Sequence, residues 1–150
     1  MESSAPARVL VVAHRTAATP GLLKAVAERA ADGPATFTLL VPRVPHGLHK
    51  VVDPEDAGHE EALMVLELAL PLLEEAAGGP VEGKIGDPNP ADAVHDAMHH
   101  HGYDEIIVST LPKRVSRWLR ADLPSKLAPL GVPVTTVVAQ SAREARTSAE

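Results

Sequence analysis

Apolar residues gather in five short runs, at positions 9–13, 36–41, 81–85, 105–110 and 134–139. The first, fourth and fifth are almost unbroken in Val, Ile, Leu and Thr, the pattern of strands covered on both faces. Between the runs the apolar period lengthens to that of helices. Thr19 stands where a helix would be capped, Pro20 takes its first position, Val26 and Ala30 turn inward, and Gly33 stops it. Asp53-Pro54-Glu55-Asp56 opens a longer helix with one stripe of Leu63, Leu66, Leu70, Leu73 and Ala77, which Pro71 is expected to kink or split. A third helix starts at Asn89-Pro90, carries Asp92 in its first turn and ends at Gly102. Its inner face is predicted to be Val94, Met98 and His101, with Ala91 and Ala97 beside them. Asp122 is placed to cap a short last helix carrying Leu123 and Leu127, closed by Gly131 and Pro133.

Strand and helix thus alternate from end to end. This order predicts an α/β domain with an open five-stranded parallel sheet and helices on both faces. Residues 1–8 read as a disordered lead, 9–140 as the domain and 141–150 as a polar, frayed tail. The stretch 42–50 (PRVPHGLHK) reads as a loop long enough to serve as a lid or partner contact.

Composition removes whole classes of function. Aromatic residues make up 2% of the chain and the net charge is −6, which argues against base-stacking nucleic-acid binders and anionic membranes as partners. The absence of cysteine excludes disulfides, thiolate metal sites and cysteine nucleophiles, and fits a reducing cytoplasm. No apolar run has the length of a membrane span or of a signal peptide core.

Familiar catalytic motifs are missing. The first strand ends in Ala13-His14-Arg15-Thr16, not in G-x-G-x-x-G, and the chain has no Walker-type loop and no G-x-S-x-G elbow. Ser109 follows a strand, yet no glycine flanks it and no base is assigned to it. His95 and His99 stand four apart on one helix, a spacing that lets two imidazoles share a metal. Histidines at a helix C-terminus are equally explained by the helix dipole and solvent, so no metal site is assigned.

The candidate chemistry lies after the fourth strand, where Lys113, Arg114, Arg117 and Arg120 crowd together. In open α/β sheets the ligand crevice lies beyond the carboxyl ends of the strands, where the winding reverses. His14 and Arg15 after the first strand, with Ser109, Thr110, Lys113, Arg114 and Arg117 after the fourth, form the candidate anion site. Arginine suits bidentate contacts with phosphate or carboxylate. A solvated basic face with Trp118 over a helix end is the competing explanation.

The five-strand alternation, Gly86-Asp87-Pro88 and Asp104-Glu105-Ile106-Ile107-Val108-Ser109-Thr110 resemble a universal stress protein domain. That resemblance implies strand order 3-2-1-4-5, a cytoplasmic location, dimers and, in many members, an ATP site between strands one and four. The family's loop G-x-x-G-x9-G-S/T, laid on this sequence without a gap, puts its glycines on Ser109, Pro112 and Asp122 and its hydroxyl on Leu123. Its acidic residue after strand one corresponds to His14. All are mismatches, and Pro112 has neither the N–H nor the conformational freedom of glycine. The expectation is therefore a stress-associated binding or regulatory domain with ATP weak or absent, no cofactor and no catalytic residues. A homodimer is expected through the fifth strand, an edge strand without protecting charges. The alternative is an enzyme acting on a phosphorylated or carboxylated small molecule, with His14 as acid or base.

Overall fold

Val9, Leu10, Val11 and Val12 alternate between two faces of a sheet, and all four are buried. Val9 and Val11 join one hydrophobic cluster, Leu10 and Val12 the other, so their strand lies between two packed layers. The structure is a computed structural model and describes residues 5–43, 54–112, 116–120 and 122–139. Its strands are β1 (Ala7–Val12), β2 (Ala35–Pro42), β3 (Val81–Gly86), β4 (Glu105–Thr110) and β5 (Val134–Val138). They form one parallel sheet in the order β3-β2-β1-β4-β5. The α/β class, the parallel sheet and the strand order all agree with the reading of the sequence. β1 starts at Ala7, inside the segment read as lead.

Helices α1 (Pro20–Asp32) and α2 (Pro54–Ala77) pack through Leu22, Val26, Leu66 and Leu73 on the side of Val9 and Val11. Helices α3 (Pro90–His100) and α5 (Leu123–Leu127) cover the side of Leu10 and Val12 with Val94, Leu123 and Leu127. Two polar ties fix the ends. Arg29 of α1 donates from Nε and Nη2 to the Glu105 carboxylate, with contacts of 2.8–3.0 Å. Arg8 donates its backbone N–H to Asp104 Oδ2 at 2.8 Å and its Nη1 to the His101 carbonyl at 2.7 Å.

Several local expectations are corrected. Pro71 lies inside α2 without splitting it. Pro71 and Glu67, whose carbonyl loses its intrahelical partner, are both exposed, so the missing bond falls on the outer side of the helix. The inner stripe of α2 is Ala62, Leu66, Ala69 and Leu73, whereas Leu63 is exposed. Small alanines let the helix settle on β3, where a Cβ on Gly83 would lie 2.9 Å from Leu66 Cδ2. His101 is exposed, because α3 ends at His100 and Gly102, at φ +73°, reverses the chain there. Asn89 caps α3 as expected, accepting from the N–H of Ala91 and Asp92.

Thr19 makes no side-chain cap; its hydroxyl donates instead to the Thr16 carbonyl at 3.0 Å. Asp122 makes none either, and takes a left-handed conformation at φ 59°, ψ 48°. The second half of the stretch read as a basic loop is a short helix, α4 (Arg117–Arg120), whose Leu119 N–H donates to Ser116 Oγ at 3.0 Å. β5 is not covered on both faces, since it closes the sheet at an edge and is half-exposed. Most of the 42–50 loop, Lys113, Arg114 and the tail lie outside the described residues.

Candidate functional site

β1 and β4 are neighbours, with Val12 opposite Val108, so the segments that follow them leave the sheet side by side. β1 is followed by α1 on one face, whereas β3 and β4 are linked by α3 on the other. The chain therefore parts above β1 and β4, and a cleft of about 360 Å³ opens there. Its walls include His14, Arg15 and Thr16 after β1, Pro42 and Arg43 after β2, Ser109 and Thr110 of β4, and Arg117 and Trp118 of α4.

Five of the seven candidate residues, His14, Arg15, Ser109, Thr110 and Arg117, line this one cleft. The other two, Lys113 and Arg114, lie outside the described residues. Reading the sequence missed Arg43, Lys126 and Glu61, which line the same cleft. Arg43 extends the end of β2, and its N–H and Nε both donate to the Gly86 carbonyl, at 2.9 and 3.3 Å. Its position after a buried strand was the available signal, the same one that marked Arg15.

The polar groups of the floor fall into two kinds. Ser109 Oγ and Thr16 Oγ1 are 2.6 Å apart and buried, so each satisfies the other. Ser109 Oγ also lies 3.5 Å from the Thr16 carbonyl. Held this way, Ser109 braces the β1 and β4 ends, and its hydroxyl is engaged with Thr16. Thr110 Oγ1 and His14 Nε2 are different: both atoms are buried and neither has a hydrogen-bond partner among the described residues. Thr110 as a whole is 3% exposed. An unsatisfied buried polar atom costs about 1–3 kcal/mol, and two of them in one cleft wall leave that wall short of hydrogen bonds.

Burial pushes the His14 imidazole below its ordinary value of 6.5, and the Arg15 guanidinium adds to that effect. The Glu61 carboxylate opposes it from α2. His14 is thus held toward its neutral form in a cleft rimmed by the cations Arg15, Arg43, Arg117 and Lys126. A guest bearing oxygen atoms and negative charge would meet donors from the rim, with Thr110 and His14 in the wall behind them. Pro42, Pro88, Leu111 and Trp118 supply apolar surface for the remainder of such a guest.

A second concavity lies beyond β3, with His59, Lys84, Asp87, Asp96, His100 and His101 around it. Among the described residues no group of three or more His, Asp or Glu side chains is placed to hold a metal ion. Among those residues no helix is long and apolar enough to cross a membrane.

No family model matches the chain, and no curated protein does. Solved structures do match its fold. A universal stress protein from Lactobacillus plantarum superposes with a TM-score of 0.66 at 17% identity, over 89% of this chain and 99% of that one. A universal stress protein family member from Burkholderia pseudomallei gives 0.63 at 20% identity, over 91% and 98%. A third, from Arabidopsis thaliana and solved with AMP bound, gives 0.62 at 16% identity, over 92% and 95%. The chain therefore has the universal stress protein fold, strand order included.

Proposed function

We propose that this chain is a non-catalytic binding domain of the universal stress protein type, whose cleft above β1 and β4 takes a small organic anion. One observation carries the reading: Thr110 Oγ1 and His14 Nε2 are buried without partners among the described residues, in a cleft rimmed by Arg15, Arg117 and Lys126. A ligand oxygen supplies what both atoms lack, and the rim neutralises its charge. The AMP bound by the Arabidopsis protein of the same fold is an anion of this general kind. Binding is favoured over catalysis because Ser109 is tied to Thr16 and, among the described residues, His14 Nε2 has no hydroxyl within hydrogen-bond reach.

ATP is proposed to bind weakly in this cleft. The loop that would wrap a triphosphate carries Pro112, which has no N–H to offer. Asp122 occupies a left-handed conformation that glycine would take without strain, and brings a carboxylate with it. Calorimetry is expected to give an ATP dissociation constant well above the micromolar range; a low-micromolar value would contradict this part of the proposal. The chain is further proposed to pair with a second copy through the exposed edge of β5.

The direct test is thermal melting of the full chain with AMP, ATP and sulfate, each against a chloride control of equal ionic strength. At least one of them should raise the melting temperature, and Arg15→Ala with Arg117→Ala should abolish that rise. A rise that survives the double substitution, or none with any of these anions, would overturn the anion reading.

A further inference from the structure

Leu63, Met64, Leu68 and Leu72 are 41%, 61%, 71% and 42% exposed, and all belong to α2. Val138 is the only other large apolar side chain so exposed among the described residues. Isolated exposed leucines are ordinary, but a contiguous row is not. Met64, Leu68 and Leu72 follow one another at four-residue steps, which stacks them along a single ridge on the outside of the helix. The opposite face is the one Ala62, Leu66, Ala69 and Leu73 bury against the sheet. The ridge is therefore surplus to the fold.

Its surroundings say what would cover it. The sequence of α2 contains seven Asp or Glu residues and neither lysine nor arginine. Glu60, Glu67 and Glu74, at heptad spacing, run along one flank of the ridge, and Glu61 and Glu75 stand at its two ends. All five are exposed. A second copy laid on this ridge would set carboxylates against carboxylates, in a chain whose net charge is already −6. An anionic membrane would meet the same repulsion.

We propose that the α2 ridge docks a cationic amphipathic helix of another protein, with leucine-like side chains at i, i+3 and i+4 and lysines or arginines on its flanks. The apolar ridges interdigitate, and the flanking cations meet Glu60, Glu67 and Glu75. Three turns of helix make a contact at the small end of specific interfaces, the size class of weak, transient partners. The surface meets the cleft only at Glu61, which lines it, and lies away from any pairing through β5. α2 packs over β2 and β3, at the other end of the sheet from β5.

The probe is a fluorescein-labelled peptide of leucine and lysine, about 18 residues long, which is five helical turns. Its leucines are spaced to form one face, and a control peptide of identical composition has them scattered. Titrated with the full chain, the patterned peptide should bind one to one with micromolar affinity, and the control at least about tenfold more weakly. Leu68→Ser, a change at a mostly exposed position, should weaken the patterned peptide about tenfold without moving the melting temperature. Met64→Ser serves as the second variant. Glu60→Gln with Glu67→Gln should weaken binding and flatten its salt dependence. Equal binding of the two peptides, or indifference to both serine variants, would overturn the proposal. So would a dimer in light scattering that Leu68→Ser converts to monomer, since a second copy would then be the occupant.

Discussion

His14 and Thr110 are where single side chains decide what the cleft does. Each stands at the end of a central strand, and each has a buried polar atom with no partner among the described residues. His14, held below 6.5 by burial, binds its proton less readily in the folded chain than in the unfolded one. Its contribution to stability is therefore complete above the unfolded value and is lost as pH falls through the folded one. An anion bound as proposed would oppose that shift by stabilising the imidazolium. Sulfate, whose charge is constant over this range, should accordingly bind more tightly as pH falls from the liganded pKa of His14 toward the free one, with proton uptake. Calorimetry in two buffers of different ionisation enthalpy would measure that uptake, and His14→Gln should remove it. Pairing across the chain was not legible at this scale. Ser109 and Thr16 are 93 residues apart, and only the fold brings their hydroxyls to 2.6 Å. Arg43 and Lys126 carry less signal, because neither sits in a cluster of basic residues along the sequence.

Strands and capped helices were the most readable elements, because burial on two faces and Asx-Pro starts leave unambiguous signals. β4 and the Asn89 cap lie where the pattern put them. The failures share a cause, which is that local chemistry was overruled by packing. Thr19 turned inward to the Thr16 carbonyl, and Ala62 and Ala69 joined Leu66 and Leu73 on the inner face of α2 while Leu63, expected there, is exposed. Gly86, quoted from the sequence as part of a family-like segment, has a physical role at this scale. A Cβ there would lie 2.8 Å from Ala93 Cβ and 3.0 Å from Leu40 Cδ1, so β3 and α3 approach as closely as they do only over glycine. Gly86→Ala should push α3 outward and destabilise the chain by about 1–3 kcal/mol, read from chemical denaturation. An unchanged denaturation midpoint would show that the helix moves freely.

The parallel sheet in the order β3-β2-β1-β4-β5 sets the character of the whole molecule, closing the cleft beneath with β1 and β4 and leaving β5 at an edge. That order came from the family resemblance, since alternation alone specifies parallel strands but not which neighbours they take. On β5, Val138 is 42% exposed at the edge. Antiparallel pairing of two such edges would give an isologous dimer. Light scattering at tens of micromolar should report about twice the 15.8 kDa of one chain, and Val138→Lys should return the monomer. A monomeric parent chain would rule that pairing out. The cleft's role as an anion site is tested most directly by following the His14 imidazole in proton–nitrogen NMR spectra while sulfate is added to the full chain. The account predicts saturable movement of the His14 signals with a rise in its pKa, both absent when Arg15 and Arg117 are replaced by alanine. His14 signals that stay fixed at saturating sulfate would contradict it.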